Sequence, residues 1–146
     1  MSTKIENSTN VQPLTVCNML SAFDLRIGNY ISVIWATEKA AWQVKKFTDK
    51  KVWFGTFNCK IENAKPVVLT GEWLVKFGFE KKTTKYTLTS CDHYQNEKCW
   101  IYFIHGGFEI ELIINKERFN LFRVFNYVHE LQNIFHSIFG IDLVCV

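Results

Sequence analysis

The chain has 146 residues, 48% of them hydrophobic, and a formal net charge of +3. That length fits one domain, and the composition excludes a disordered, fibrous or collagen-like chain. No apolar run approaches the roughly 20 residues of a membrane span. The polar first 24 residues lack the apolar segment of an export signal, so the expectation is a soluble cytoplasmic protein whose five cysteines are reduced thiols.

The charge is uneven. From Glu38 to Lys85 there are eleven lysines against five acids, a net of +6, and from Cys91 onward four bases against seven acids, a net of −3. Opposite potentials on two parts of a surface steer and orient a charged partner. Aromatic residues make up 16% of the chain, thirteen of them Phe. Such rings favour half-buried pleated surfaces and act as anchors at interfaces, although most of them serve a core.

In chain order, residues 1–23 begin polar and read as a flexible arm, with Leu14–Phe23 a short helix or an extended segment. Gly28-Asn29 marks a turn before an apolar strand over Tyr30–Ala36. Trp42–Phe47 and Val52–Phe57 read as a hairpin turned by Asp49-Lys50-Lys51. Thr70–Gly78 reads as a short helix, with Thr70 as N-cap, Glu72 in the first turn, Gly78 as stop, and Trp73 and Phe77 on one face.

Lys85–Thr89 reads as a strand and Ser90–Glu97 as a polar turn. Cys99–His105 and Phe108–Ile114 form a hairpin through Gly106-Gly107. In the second of these strands Glu109 and Glu111 alternate with apolar residues and face water. Leu121–Phe139 is the strongest helical pattern, with Phe125, Val128, Leu131, Phe135 and Ile138 at three- and four-residue steps and Gly140 as stop. Ile141–Val146 reads as a last strand. The sum is an α+β domain over residues 24–146, with an antiparallel β-sheet of about six or seven strands, one short helix and a long C-terminal amphipathic helix packed on one face.

Motifs that carry chemistry are scarce. No phosphate loop of either common type occurs. Cys91, His93 and Cys99 offer three metal-type ligands, but no fourth ligand is near in sequence, so free thiols in a polar turn are the better reading. His129 and His136 are two helical turns apart, too far to share one ion. No nucleophile elbow is present, and neighbouring helix positions such as His129 and Glu130 do not face each other. The expectation is therefore no catalytic residue, no metal and no small-molecule cofactor. Lysines interleaved with Trp42, Trp53 and Tyr86 suit a single nucleic-acid strand, but arginine is scarce and no RNA-binding signature appears.

Three stretches, taken together, resemble a group of short phage and prophage proteins. They are Leu25-Arg-Ile-Gly-Asn-Tyr, Val68-Leu-Thr-Gly-Glu-Trp-Leu-Val-Lys-Phe-Gly-Phe-Glu and Tyr127-Val-His-Glu-Leu-Gln-Asn-Ile-Phe. The likeness runs over roughly residues 24–143, and Gly71 stands where that group often has an acid. In size and character the chain is similar to anti-CRISPR proteins. The resemblance implies a phage-encoded inhibitor that docks on a host protein, a type VI-B RNA-guided, RNA-cutting CRISPR nuclease, or interferes with its guide RNA.

Anchors for such a partner are rings the fold does not need, namely Trp42, Trp53, Trp100 and Tyr102, with Lys45, Lys46, Lys50 and Lys51 steering. Trp100 and Tyr102 lie on the strand face opposite Ile101 and Phe103. Two alternatives remain: a small module for RNA or another single strand, and a small enzyme whose site is assembled in space around Cys91, His93 or His105.

Overall fold

A computed structural model describes residues 20–37, 40–85, 90–104 and 106–146. A 3-10 turn at Ala22–Asp24 leads into β1 (Tyr30–Val33), β2 (Trp42–Gln43), β3 (Lys46–Phe47), β4 (Lys51–Trp53) and β5 (Asn58–Lys60). A second turn at Ile61–Asn63 precedes β6 (Ala64–Pro66) and helix α1 (Gly71–Lys76). Then come β7 (Glu80–Lys85), β8 (Ser90–Gln95), β9 (Cys99–Ile104), β10 (Gly107–Ile114), β11 (Glu117–Phe125) and helix α2 (Val128–Phe139). All paired strands run antiparallel, and the class is α+β as expected. The strands divide among three sheets, ordered β2-β1-β6, β3-β4-β5 and β11-β10-β9-β8-β7.

Two apolar clusters hold these layers. The larger joins Cys99, Ile101, Phe108, Ile110 and Leu112 of the five-stranded sheet to Leu74 and Phe77 of the α1 segment and Val128, Leu131 and Phe135 of α2. The smaller lies under the two short sheets and contains Ile31, Val33, Val44, Val52, Phe54 and Cys59. Strand β1 bridges them: Ile31 and Val33 enter the small cluster, while Tyr30 packs on the large one between Trp73 at 5.4 Å and Phe77 at 6.1 Å. Burying one side chain of this kind contributes about 1.5–3 kcal/mol.

The turn at Gly28-Asn29 is locked by α2. Gln132 Nε2 donates to the carbonyls of Gly28 (3.0 Å) and Leu143 (2.9 Å), and Gln132 Oε1 accepts from the Tyr30 N–H at 2.8 Å. Asn29 Nδ2 donates to Asn133 Oδ1 at 3.0 Å, its Oδ1 accepts from the Arg26 N–H at 2.7 Å, and Asn133 Nδ2 donates to the Asp24 carbonyl at 2.8 Å. Asn29 and Gln132 are buried. This clamp joins two of the three familiar stretches, more than 100 residues apart in sequence.

Gly71 also has a physical reason: a Cβ there would collide with the Tyr94 hydroxyl, so any larger residue at the first position of α1 requires the Tyr94 side chain to move. Gly140, at φ 65°, ends α2 in the left-handed conformation that glycine adopts without penalty.

Several expected elements shift. The helix over Leu121–Phe139 begins only at Val128, because Leu121–Phe125 completes β11. Glu130 sets that start by accepting from the N–H groups of Asn126 and Tyr127 at 2.9 and 3.1 Å. The polar turn over Ser90–Glu97 is mostly β8, paired with a polar β7, so neither strand shows the apolar alternation that marks a half-buried strand. Strand β7 occupies Glu80–Lys85, which the sequence did not mark; of the strand expected over Lys85–Thr89, residues 86–89 are outside the described residues, as is almost all of the expected arm. Trp42–Phe47 breaks at the buried Val44 into two strands of different sheets. Ile141–Val146 forms no strand; it closes the large core through Leu143 and donates from the Val146 N–H to the Lys76 carbonyl at 2.9 Å.

Candidate functional site

The eight residues expected to meet a partner fall into two groups on different sheets. Trp42, Lys45, Lys46, Lys50, Lys51 and Trp53 belong to the short sheets, and Trp100 and Tyr102 to the five-stranded one. All four rings are half-buried, whereas all four lysines are exposed.

The register of the β3-β4-β5 sheet explains the first group. Val52 and Cys59 are partners and both are buried, so their neighbours Lys51, Trp53, Asn58 and Lys60 point to the opposite, outer face. Lys46 pairs with Trp53, and Phe47 with Val52, which places Lys46 on the outer face as well. One rung therefore carries Lys46, Trp53 and Asn58, and the next carries Lys51 directly opposite Lys60. Lys46 Nζ sits over the Trp53 ring, 5.3 Å from its centroid. Lys45 borders the face, its N–H donating to the Trp53 carbonyl at 2.8 Å and its ammonium to Gln43 Oε1. Lys50 flanks it in the β3–β4 turn, where its carbonyl accepts from the Ile61 N–H at 2.9 Å.

Among the described residues, no carboxylate lies within ion-pair distance of Lys46 or Lys51, and Lys60 meets only the exposed Glu62 at 3.3 Å. Residues 45–62 hold five lysines and two acids, a net of +3, which equals the net charge of the whole chain. Like charges placed directly opposite on a sheet destabilise it. The fold therefore gains nothing from the Lys51–Lys60 pair. Lys60 was not among the expected residues, because only the strand register brings it beside Lys51.

Trp42 belongs to the interior side of this region. Its ring lies 6.2 Å from Phe54 and 5.3 Å from Phe57, and it packs against the small cluster.

Trp100 and Tyr102 share the outer face of the five-stranded sheet, as expected. On the opposite face Ile101 is fully buried, while Phe103 is 66% exposed at the end of the hairpin. The Trp100 group is satisfied internally. The Arg118 guanidinium stacks on Trp100 at 3.8 Å and lies 3.8 Å from Glu111, and the Tyr102 hydroxyl donates to Glu111 Oε2 at 3.1 Å. Glu111 is thus the hub of a polar-aromatic layer as well as a solubilising residue. His93 is buried against both rings, at 5.2 and 5.6 Å, with Nε2 at 3.3 Å from Gln95 Oε1.

The metal-type residues separate. His93 is on this outer face. Cys99 is in the core on the other face, and burial pushes its thiol up to about 12. Asp92 binds Lys81 at 2.7 Å, and the Lys81 ammonium with the Thr83 hydroxyl holds its carboxyl below the usual range. The described residues contain no cluster of three or more such groups. Side chains of Cys91 and His105 lie outside the described residues. No helix among those described is long and apolar enough to cross a membrane.

One groove, of about 830 Å³, opens at the start of α2 between Arg123, Tyr127, His129, Glu130 and Asn133. His129 is buried, Nδ1 has no hydrogen-bond partner among the described residues, and desolvation lowers its pKa against the pull of Glu130 and Asp24. Arg123 pairs with Glu130 at 3.6 Å, and Asp24 also lines the groove.

No protein-family model, curated protein or solved structure matches the chain.

Proposed function

We propose that this protein is a non-catalytic binding protein, a phage-encoded inhibitor of a type VI-B RNA-guided, RNA-cutting CRISPR nuclease. It docks on the ribonucleoprotein with the outer face of the β3-β4-β5 sheet. The observation that carries the reading is the pair Lys46 and Lys51 beside Trp53, which no carboxylate among the described residues answers. Exposed, uncompensated cations beside a half-exposed indole suit a partner that is itself polyanionic, and charge complementarity of this kind raises the association rate and sets the docking register. The likeness of the chain to phage proteins of anti-CRISPR character points to the class of partner.

The test is co-purification. The tagged protein is used to capture the nuclease loaded with guide RNA, and RNA cleavage is followed as inhibitor is added. Capture with loss of cleavage supports the reading. A nuclease that is neither captured nor slowed overturns it.

A further inference from the structure

We infer that the face built by Lys46, Lys51, Trp53, Asn58 and Lys60 takes an unpaired RNA strand, with a base stacked on Trp53 and phosphates on Lys51 and Lys60. This deepens the proposed function and rests on it for the source of the RNA.

Three features support it. First, the two lysines that repel each other across β4 and β5 are relieved when a phosphate sits between or above them. In the free protein only the exposed Glu62, 3.3 Å from Lys60, offsets that repulsion, and a bound polyanion answers both lysines. Second, Trp53 is flanked on its own rung by a cation and an amide, Lys46 and Asn58, and not by apolar neighbours. These rung neighbours offer a cation and an amide for the phosphate and base edge of a nucleotide, where a protein-docking anchor is normally ringed by contacts that exclude water. Third, the ring lies in a sheet face, not on a protruding loop. A flat face can stack a base only if that base is already out of a helix, so a duplex presents nothing to Trp53.

Lys46 lies over the indole in the free protein, but an exposed cation–π contact is worth about 0.5–1 kcal/mol, and base stacking about 1–3 kcal/mol. The exchange favours the base and frees Lys46 for a phosphate.

The experiment titrates full-length protein into a fluorescein-labelled unpaired RNA of about 12 nucleotides, and into a duplex of the same sequence, over a series of salt concentrations. The expected results are single-strand binding at least about tenfold tighter than duplex binding, and a slope of log K against log salt near −2, as for about three phosphate contacts. Trp53→Ala should weaken binding by roughly 5–150-fold, with Trp53→Phe retaining most of it. Because Trp53 is half-buried, Lys51→Glu and Lys60→Glu are read in parallel; both positions are exposed, and each should weaken binding by about tenfold and flatten the slope. Lys116→Glu, in the β10–β11 turn, is the control and should bind as the parent does.

Equal affinity for duplex, a slope near zero, or parental affinity in both Lys51→Glu and Lys60→Glu overturns the inference. Nuclease inhibition is measured on the same samples. Inhibition without RNA binding overturns this inference and leaves the proposed function standing, with the face reading protein instead. RNA binding without inhibition supports the inference and removes the proposed function.

Discussion

The clamp around Gln132 and the lysine face around Trp53 both gather polar groups, and they treat them in opposite ways. In the clamp, the amide groups of Asn29, Gln132 and Asn133 meet backbone carbonyls, backbone N–H groups or one another. On the lysine face, Lys46 and Lys51 have no carboxylate partner among the described residues, and two like charges stand opposite each other. A buried network stabilises only when it is fully satisfied, so the clamp is architecture. An exposed arrangement that costs stability persists for a reason outside the fold, so the lysine face is where a partner is expected. The Trp100 layer falls on the clamp's side of this divide, since its cation is already shared with Glu111.

The largest effect that would sharpen this contrast is expected from Gln132→Leu. The change removes the side-chain partner of the buried Leu143 carbonyl and of the partly buried Tyr30 N–H and Gly28 carbonyl. At about 1–3 kcal/mol for each unsatisfied group, a loss of roughly 3 kcal/mol or more is expected in urea unfolding. The folded fraction should still bind its partner with parental affinity; weaker binding by folded protein would show that the clamp is part of the site.

Glu111→Ala should come next. It leaves the Tyr102 hydroxyl and Arg118 without their shared acceptor in a half-buried layer, and a loss of about 1–2 kcal/mol is expected with no change in binding. Reduced binding at full stability would move the site to the five-stranded sheet.

His129 gives a third, smaller effect that depends on pH. Its folded pKa lies below its unfolded value because burial penalises the charged form. Below the unfolded value, about 6.5, the unfolded chain takes up a proton that the folded chain refuses, so stability falls as pH drops towards the folded pKa. Above that value the two states are equally deprotonated and the dependence vanishes. His129→Gln should flatten the acid limb of stability against pH; an unchanged limb would assign it to other groups.

Much of the fold was legible in the chain and much of its assembly was not. Apolar alternation marked β9 and β10, and the three- and four-residue steps from Val128 marked α2. Leu121–Phe125 carries the same apolar density as a helix, and only the capping by Glu130 and the left-handed Phe122, at φ 49°, show that the chain is still in a bulged edge strand there. Strand β8 was hidden because its polar residues answer polar residues of β7, as Asp92 does Lys81 and Thr83. For the site, lysine density was visible, but the pairing of Lys51 with Lys60 is a property of register and could not be read along the chain. The Gly-Asn and Gln-Asn pairs were visible as turn and helix residues; their meeting depends on the packing of α2 against β1.

The smallest structural change should carry the sharpest functional one. Lys51→Glu replaces a like-charge pair with an opposite-charge pair across β4 and β5, a gain of a few tenths of a kcal/mol up to about 1 kcal/mol. The decisive measurement is the affinity of Lys51→Glu for unpaired RNA, set beside its urea midpoint. A fold at least as stable as the parent with affinity reduced about tenfold is the predicted result. Parental affinity in that stable variant would contradict the claim that the lysines around Trp53 are the binding site.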